Sequence, residues 1–347
     1  MKIFARIFLL LLMTIVVCLS DAFAQGVRPV KDNVGFCWNP AQMKKLIGYL
    51  QKHEWKKISG ENLVAGISPH DDYLYAAKVY LPLYQAIRAK EVVIFGVTHM
   101  TVRKEIGDPK NILILDHYNE WTGLRHDVQI SPLREYIKRN LDASYFDVND
   151  KAQRLEHSVE ALIPFLQYYN PDVKIIPIMV TAMPFGRMDT ISDQLSNVIA
   201  KYIRENKLVV GRDIFFLISS DANHYGKDFD NAPFGEDLKA HEEGTTQDVR
   251  IADKCLAGEM TGKKVESLTD EMKRVVWCGR FSIPFGLLTI EKTIRKSLHK
   301  DVYGKLILYS DSFSEGVIPL KGTEMGTTAP FSLKHWVGWL SAGYYLK

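Results

Sequence analysis

Leu63-Val64-Ala65-Gly66-Ile67 and Val92-Val93-Ile94-Phe95, with residues 76–90 between them, decide the fold class of this chain. Both apolar runs have the length of buried strands, and the segment between them places Val79, Leu83, Ala86 and Ile87 on one helical face. Strand, helix and strand in that order predict a parallel pair joined by a right-handed crossover. Each run also ends at a histidine. Ser68-Pro69-His70-Asp71-Asp72-Tyr73 follows the first, and Gly96-Val97-Thr98-His99 the second. Ligands of α/β proteins collect beyond the carboxyl ends of strands, so these histidines are placed where a site would form.

The alternation continues outward. Residues 112–115 are expected as a strand, Ser131-Pro132 as a helix start with a capping hydroxyl and a proline in the first turn, and residues 156–169 as an apolar-faced helix broken at Pro164. Residues 173–180 predict a long strand, 189–205 a helix and 214–218 a buried strand. That strand leads into Ser219-Ser220-Asp221-Ala222-Asn223-His224-Tyr225, a third strand end carrying an acid and an imidazole. Helical segments are expected over 236–258, 268–276 and 285–298, then a strand over 305–309 and an irregular stretch over 311–330. The sum is one α/β domain with a mostly parallel central sheet flanked by helices. Histidines from separate strand ends, meeting at one point, make a metal site the leading chemistry.

The N-terminus reads as an export signal: Lys2 and Arg6 precede an apolar run over residues 7–17, and Ala22-Phe23-Ala24 offers a small-x-small cleavage site. Residues 1–24 are therefore expected as a signal peptide and 25–347 as the mature domain, exported to the periplasm or secreted, with lipid attachment at Cys18 as the alternative. No later stretch reaches the roughly 20 apolar residues of an integral membrane span. The net charge of +3 falls to about +2 without the signal, and no basic block with interleaved aromatics marks a nucleic-acid partner. Three cysteines remain, Cys37, Cys255 and Cys278, and in an oxidising compartment an odd number leaves one to other work. Cys37 and Cys255 form one conceivable disulfide. Phosphate-loop, Gly-x-Ser-x-Gly, His-Glu-x-x-His and Cys-x-x-Cys motifs are absent, which removes the signatures of nucleotide hydrolysis, serine hydrolysis, helix-borne zinc proteolysis and dithiol exchange.

Six segments in order carry a family resemblance: Ala65-Gly66-Ile67-Ser68-Pro69-His70, Ile94-Phe95-Gly96-Val97-Thr98-His99, Glu156-His157-Ser158-Val159-Glu160, Lys174-Ile175-Ile176-Pro177-Ile178, Ser219-Ser220-Asp221-Ala222-Asn223-His224 and Cys278-Gly279-Arg280. The chain resembles the Memo-like proteins, called AmmeMemoRadiSam system protein B in bacteria, which share a fold with the class III extradiol ring-cleavage dioxygenases. The resemblance implies an iron site held by residues matching His70, His99 and Cys278, with Asp221 and His224 in the same cleft; zinc or copper are the other metals to consider. It also implies dioxygenase-like redox chemistry on a small molecule, or else an interaction protein that holds a peptide or metal without turnover. Two departures stand out: Asp71 and Asp72 replace small residues, and Met100 replaces a second histidine. Both are expected to alter the inner shell or its rim, and the acidic pair suits a metal-dependent hydrolase as a further alternative.

Read from the residues, imidazoles with a carboxylate or thiolate on one face leave open positions on a metal. Cys278, preceded by Val275-Val276-Trp277, reads equally as a buried core thiol. Asp221 would complete the metal shell or orient a ligand histidine, or merely cap a turn, and His224 is the candidate acid or base, reading equally as a structural histidine. Glu156-His157-Ser158 reads as a helix start, structural or supporting the site. Tyr73, Tyr75 and Tyr225 are placed to line an aromatic-accepting cleft or to pack, and Arg280 to hold a substrate carboxylate or an internal acid.

Overall fold

The computed structural model describes residues 26–53 and 56–347; the expected signal, its cleavage site and Cys18 lie outside the described residues. One sheet of ten strands organises the chain. In chain order the strands are β1 (Leu63–Ser68), β2 (Glu91–Val97), β3 (Leu113–Leu115), β4 (Phe146–Val148), β5 (Lys174–Val180), β6 (Ile214–Ser219), β7 (His224–Gly226), β8 (Gly258–Glu259), β9 (Val302–Asp311) and β10 (His335–Leu346). Their spatial order is β8-β9-β10-β1-β6-β2-β5-β3-β4, with β7 pairing β10 off this path.

The four central strands β1, β6, β2 and β5 run parallel, with Ile67 opposite Ile218 and Phe95 opposite both Ile218 and Ile178. Sequence order is not spatial order: β1 and β2 are parallel, but β6 lies between them. The flanks are antiparallel where β10 joins β1 and β3 joins β5, so the sheet is mixed around a parallel centre. The residues of the central strands are almost entirely buried, which is why they read as continuous apolar runs.

Side chains alternate between two faces. Val93, Phe95, Ile176, Ile178, Phe216 and Ile218 pack under the helices Phe185–Glu205 and Ser282–Leu298. Val92, Ile94, Ile175, Phe215 and Leu217 pack under Pro40–His53, Tyr73–Tyr84 and Ile163–Tyr169. The result is a three-layer α/β domain. Cys37 and Cys255 are free and belong to the clusters of opposite faces, so no disulfide joins them.

Three local expectations change. The 156–169 segment is a 3-10 turn, Glu160–Leu162, followed by the helix Ile163–Tyr169, whose first turn accommodates Pro164 instead of being broken by it. Glu156 ends the short helix Asp150–Leu155 in an extended conformation; it does not open one. Residues 335–346, not anticipated as a strand, form the longest one.

Tertiary pins fix the N-terminal segment to the site. Arg28, 1 % exposed, pairs with the buried Glu160 and donates to the Glu156 carbonyl at 2.6 Å. Glu160 also accepts from the amides of Lys31 and Asp32. Removing one partner of such a pair leaves a buried charge, at a cost of about 3–5 kcal/mol.

Candidate metal centre

The carboxyl ends of β1, β6 and β2 lie side by side, and each delivers a candidate side chain: His70 two residues past β1, Asp221 two past β6, and His99 two past β2. Cys278 arrives separately. An isolated bridge between Asn223 and Trp277, and the His224 amide donating to the Val276 carbonyl at 2.9 Å, lay the Cys278 segment against the end of β6. The buried Asp248 carboxylate ties both segments together by accepting from Trp277 Nε1 at 2.7 Å, Tyr309 Oη at 2.8 Å and the Asn223 amide at 3.3 Å. At Gly279 a Cβ would lie 2.1 Å from Ser220 Oγ, so only glycine permits this approach.

Hydrogen bonds assign the imidazole faces. Ser219 Oγ donates its single proton to the Ser158 carbonyl at 2.6 Å, so the 2.7 Å contact with His70 Nδ1 requires Nδ1–H to donate. The lone pair of His70 is thereby left on Nε2, which faces Cys278 Sγ and Asp221 Oδ2, each at 3.3 Å. His99 Nδ1 donates to Glu156 Oε1 at 2.8 Å, which frees its Nε2 in the same way. Ligand histidines are commonly held by such a bond from the far ring nitrogen.

Glu156 is the hub of this support. Its carboxylate, 1 % exposed, accepts from the amides of His99, His157 and Ser158 in addition to the His99 ring. Burial alone would raise its pKa, but the charge and hydrogen bonds of His99 outweigh burial and hold the carboxyl well below its ordinary range. Burial pulls His99 down while Glu156 prevails, leaving His99 raised.

Donor atoms gather in two groups that share His70. His70, His99 and His157 lie with one ring nitrogen each within 4.8 Å of one another, and His70, Asp221 and Cys278 do likewise. The expected ligands are thus distributed, His99 in the first group and Cys278 in the second. His157, read from sequence as structural or supporting, stands among the donors, its ring stacked on His99 at 4.6 Å. The signal for it was present in Glu156-His157-Ser158. These donors fit a metal: two have lone pairs directed by their partners, and imidazole with thiolate suits zinc, copper or iron.

Burial shifts the other donors toward their uncharged forms, His99 being the exception. Burial and the neighbouring imidazoles of His99 and His157 lower His70, and burial with His99 brings His157 and His224 down to about 4. Burial and Asp71 raise Asp221 well above its ordinary range, and burial with Asp221 does the same for the Cys278 thiol. A metal would displace the thiol proton. His224 Nδ1 faces the Ala222 carbonyl at 3.2 Å, and its ring meets Phe229 edge-on at 5.1 Å.

His99, His157, His224 and Phe229 line two adjoining cavities of about 610 and 580 Å3. His70, Asp71, Asp72 and Asp221 line the smaller, and Met100, Cys278 and Arg280 the larger. The acidic pair is otherwise occupied: Asp71 accepts from Trp339 Nε1 at 2.9 Å and from the Asp72 amide at 2.7 Å, while Asp72 accepts from the amide and hydroxyl of Thr328. Neither joins a donor group among the described residues. Of the expected change of the inner shell or its rim, the pair therefore stands at the rim, on the wall of the smaller cavity, where Asp72 also straps the irregular 316–330 segment. Met100, 59 % exposed, begins the helix Met100–Glu105 at the rim. Tyr73 and Tyr225 are fully buried and Tyr75 nearly so, with hydroxyls bonded to the carbonyls of Ala161, Gly235 and Ala329 respectively; they pack, and line neither of these two cavities.

The family model described as Memo-like protein matches residues 36–315. The chain belongs to the Memo-like protein family. A MEMO1 family protein of Pyrobaculum arsenaticum is 32 % identical over 215 residues, covering 57 % of this chain and 70 % of the relative. Those of Pyrococcus horikoshii and Pyrococcus furiosus are 28 % identical over 262 residues and 25 % identical over 267. They cover 72 % and 74 % of this chain and 81 % and 82 % of the relatives. Every candidate donor of this Memo-like chain falls inside the matched span. Among the described residues, no helix is long and apolar enough to cross a membrane.

Proposed function

We propose that this Memo-like chain is an exported metal-binding protein, with iron as its metal and dioxygenase-like redox chemistry on a small molecule. The observation that carries the reading is the pair of directed lone pairs: Ser219 and Glu156 each hold a Nδ1–H, presenting Nε2 of His70 and of His99 to one region. When bound, the metal supplies a Lewis-acidic, redox-active centre with positions left for other ligands. The chain does the rest. His70, His99 and His157 would hold the ion from one group, or His70, Asp221 and Cys278 from the other. His224, neutral and on the wall of both cavities, is the residue to accept a proton from a bound hydroxyl. Asp221, on the wall of the smaller cavity beside His70, is the second residue for proton transfer where it does not ligate the ion.

Export rests on Lys2, Arg6, the apolar run and Ala22-Phe23-Ala24, and sequencing the N-terminus of the processed protein should read from Gln25. A metal-dependent hydrolase is the other reading, for which Asp71 and Asp72 on the smaller cavity's wall would count, although both already accept hydrogen bonds from Trp339 and Thr328.

Dioxygen uptake by protein reconstituted with iron under anaerobic conditions, then offered a panel of catechols, tests the reaction. Consumption that depends on a catechol supports the redox reading. Ligand-dependent thermal stabilisation without uptake would make the protein a binding module for a small molecule or peptide.

A further inference from the structure

The larger cavity contains charge that the metal reading leaves unused. Arg103 and Arg280 both line it, beside His99 and Cys278. Among the described residues Arg280 has no carboxylate within 4.0 Å; its guanidinium lies over the Phe281 ring at 5.0 Å. Both arginines line this one cavity, and partial burial, then the charge of Arg103, hold Arg280 below its ordinary value. Arg103 Nε is shielded from solvent without a hydrogen-bond partner. Among the described residues its one ion pair is a 3.6 Å contact with Asp108, an exposed acid shared with Lys110. Asp228 and Asp230 also line the cavity, yet neither pairs with an arginine, and Asp228 is held by His335 at 2.8 Å. The remaining wall includes Phe229, Val276 and Phe281, a surface for an apolar body.

We propose that this cavity binds a small organic acid: its carboxylate between Arg280 and Arg103, its apolar body against Phe229, Val276 and Phe281. A guanidinium presents a planar fork that matches a carboxylate in two parallel hydrogen bonds, and a second cation beside it offsets the acids Asp228 and Asp230 on the same wall. A volume of about 610 Å3 accommodates a small molecule, with His99 and Cys278 on the same wall. The assignment names the substrate class for the proposed metal site and rests on that reading for its chemistry, though not for its binding.

Benzoate and its neutral analogue benzamide separate these ideas when titrated calorimetrically into metal-free protein, where no metal can supply the preference. Wild type should prefer benzoate by about tenfold or more, the scale of a charge-assisted pair. Arg280→Gln and Arg103→Gln, both at the cavity edge, should each reduce the preference, and Arg280→Lys should keep part of it. Equal binding of benzoate and benzamide, no benzoate binding at millimolar concentration, or an undiminished preference in Arg280→Gln would each overturn the proposal. Metal uptake measured on the same samples keeps the two readings apart: benzoate preference with no metal uptake supports this inference and overturns the metal reading.

Discussion

Glu156 Oε1 sits 2.8 Å from His99 Nδ1, on a carboxylate that also accepts three backbone amides from the His99 and His157–Ser158 segments. One buried side chain thus fixes the tautomer of one candidate ligand and the backbone of another. Glu156→Gln keeps the shape but loses the charge, and should weaken metal binding about 10- to 100-fold. Competition against a chelator of known affinity reads this directly, and unchanged affinity would show that Glu156 is only a structural hub.

Asp72 is a strap and no ligand, because its carboxylate is spent on Thr328. Asp72→Ala should lower stability by about 1–3 kcal/mol through the lost bonds, while leaving metal uptake as in wild type. Chemical denaturation and metal analysis of one preparation give both results. A fall in uptake with unaltered stability would return Asp72 to the site.

Asp248 supplies a pH dependence of known sign. Burial outweighs its hydrogen bonds from Trp277, Tyr309 and Asn223 and pushes it up to about 7, against an ordinary value of 3.8. The folded state therefore keeps a proton that the unfolded chain releases first, and this group's contribution to stability is present below the ordinary value and lost as pH rises toward 7. Asp248→Asn should flatten the decline in unfolding free energy between about pH 4 and 7. Parallel wild-type and variant profiles across that window would contradict the assignment.

The parallel core was legible because its strands are buried on both faces and carry unbroken apolar runs, as Val92-Val93-Ile94-Phe95 shows. His70, His99, Asp221 and His224 were legible because strand ends place them, and periodicity finds strand ends. Spatial order was not: nothing in residues 63–97 says that Ile214–Ser219 inserts between the first two strands. The strand His335–Leu346 escaped because aromatics and glycines fill both of its faces, giving neither a helical nor an alternating period. His157 escaped for a different reason. Glu156 was read as a helix opening, whereas it closes one and turns inward on a salt bridge between residues 57 positions apart. A contact of that kind leaves no local period.

Metal content after anaerobic reconstitution and gel filtration, compared between wild type and His70→Ala, decides whether the strand-end donors hold a metal, because His70 belongs to both donor groups. Wild type should retain close to one iron per chain, and His70→Ala should lose it while remaining folded by circular dichroism. Beside them, His157→Ala and Cys278→Ser show which group contributes more. Equal iron in wild type and His70→Ala, or none in wild type, would contradict the account.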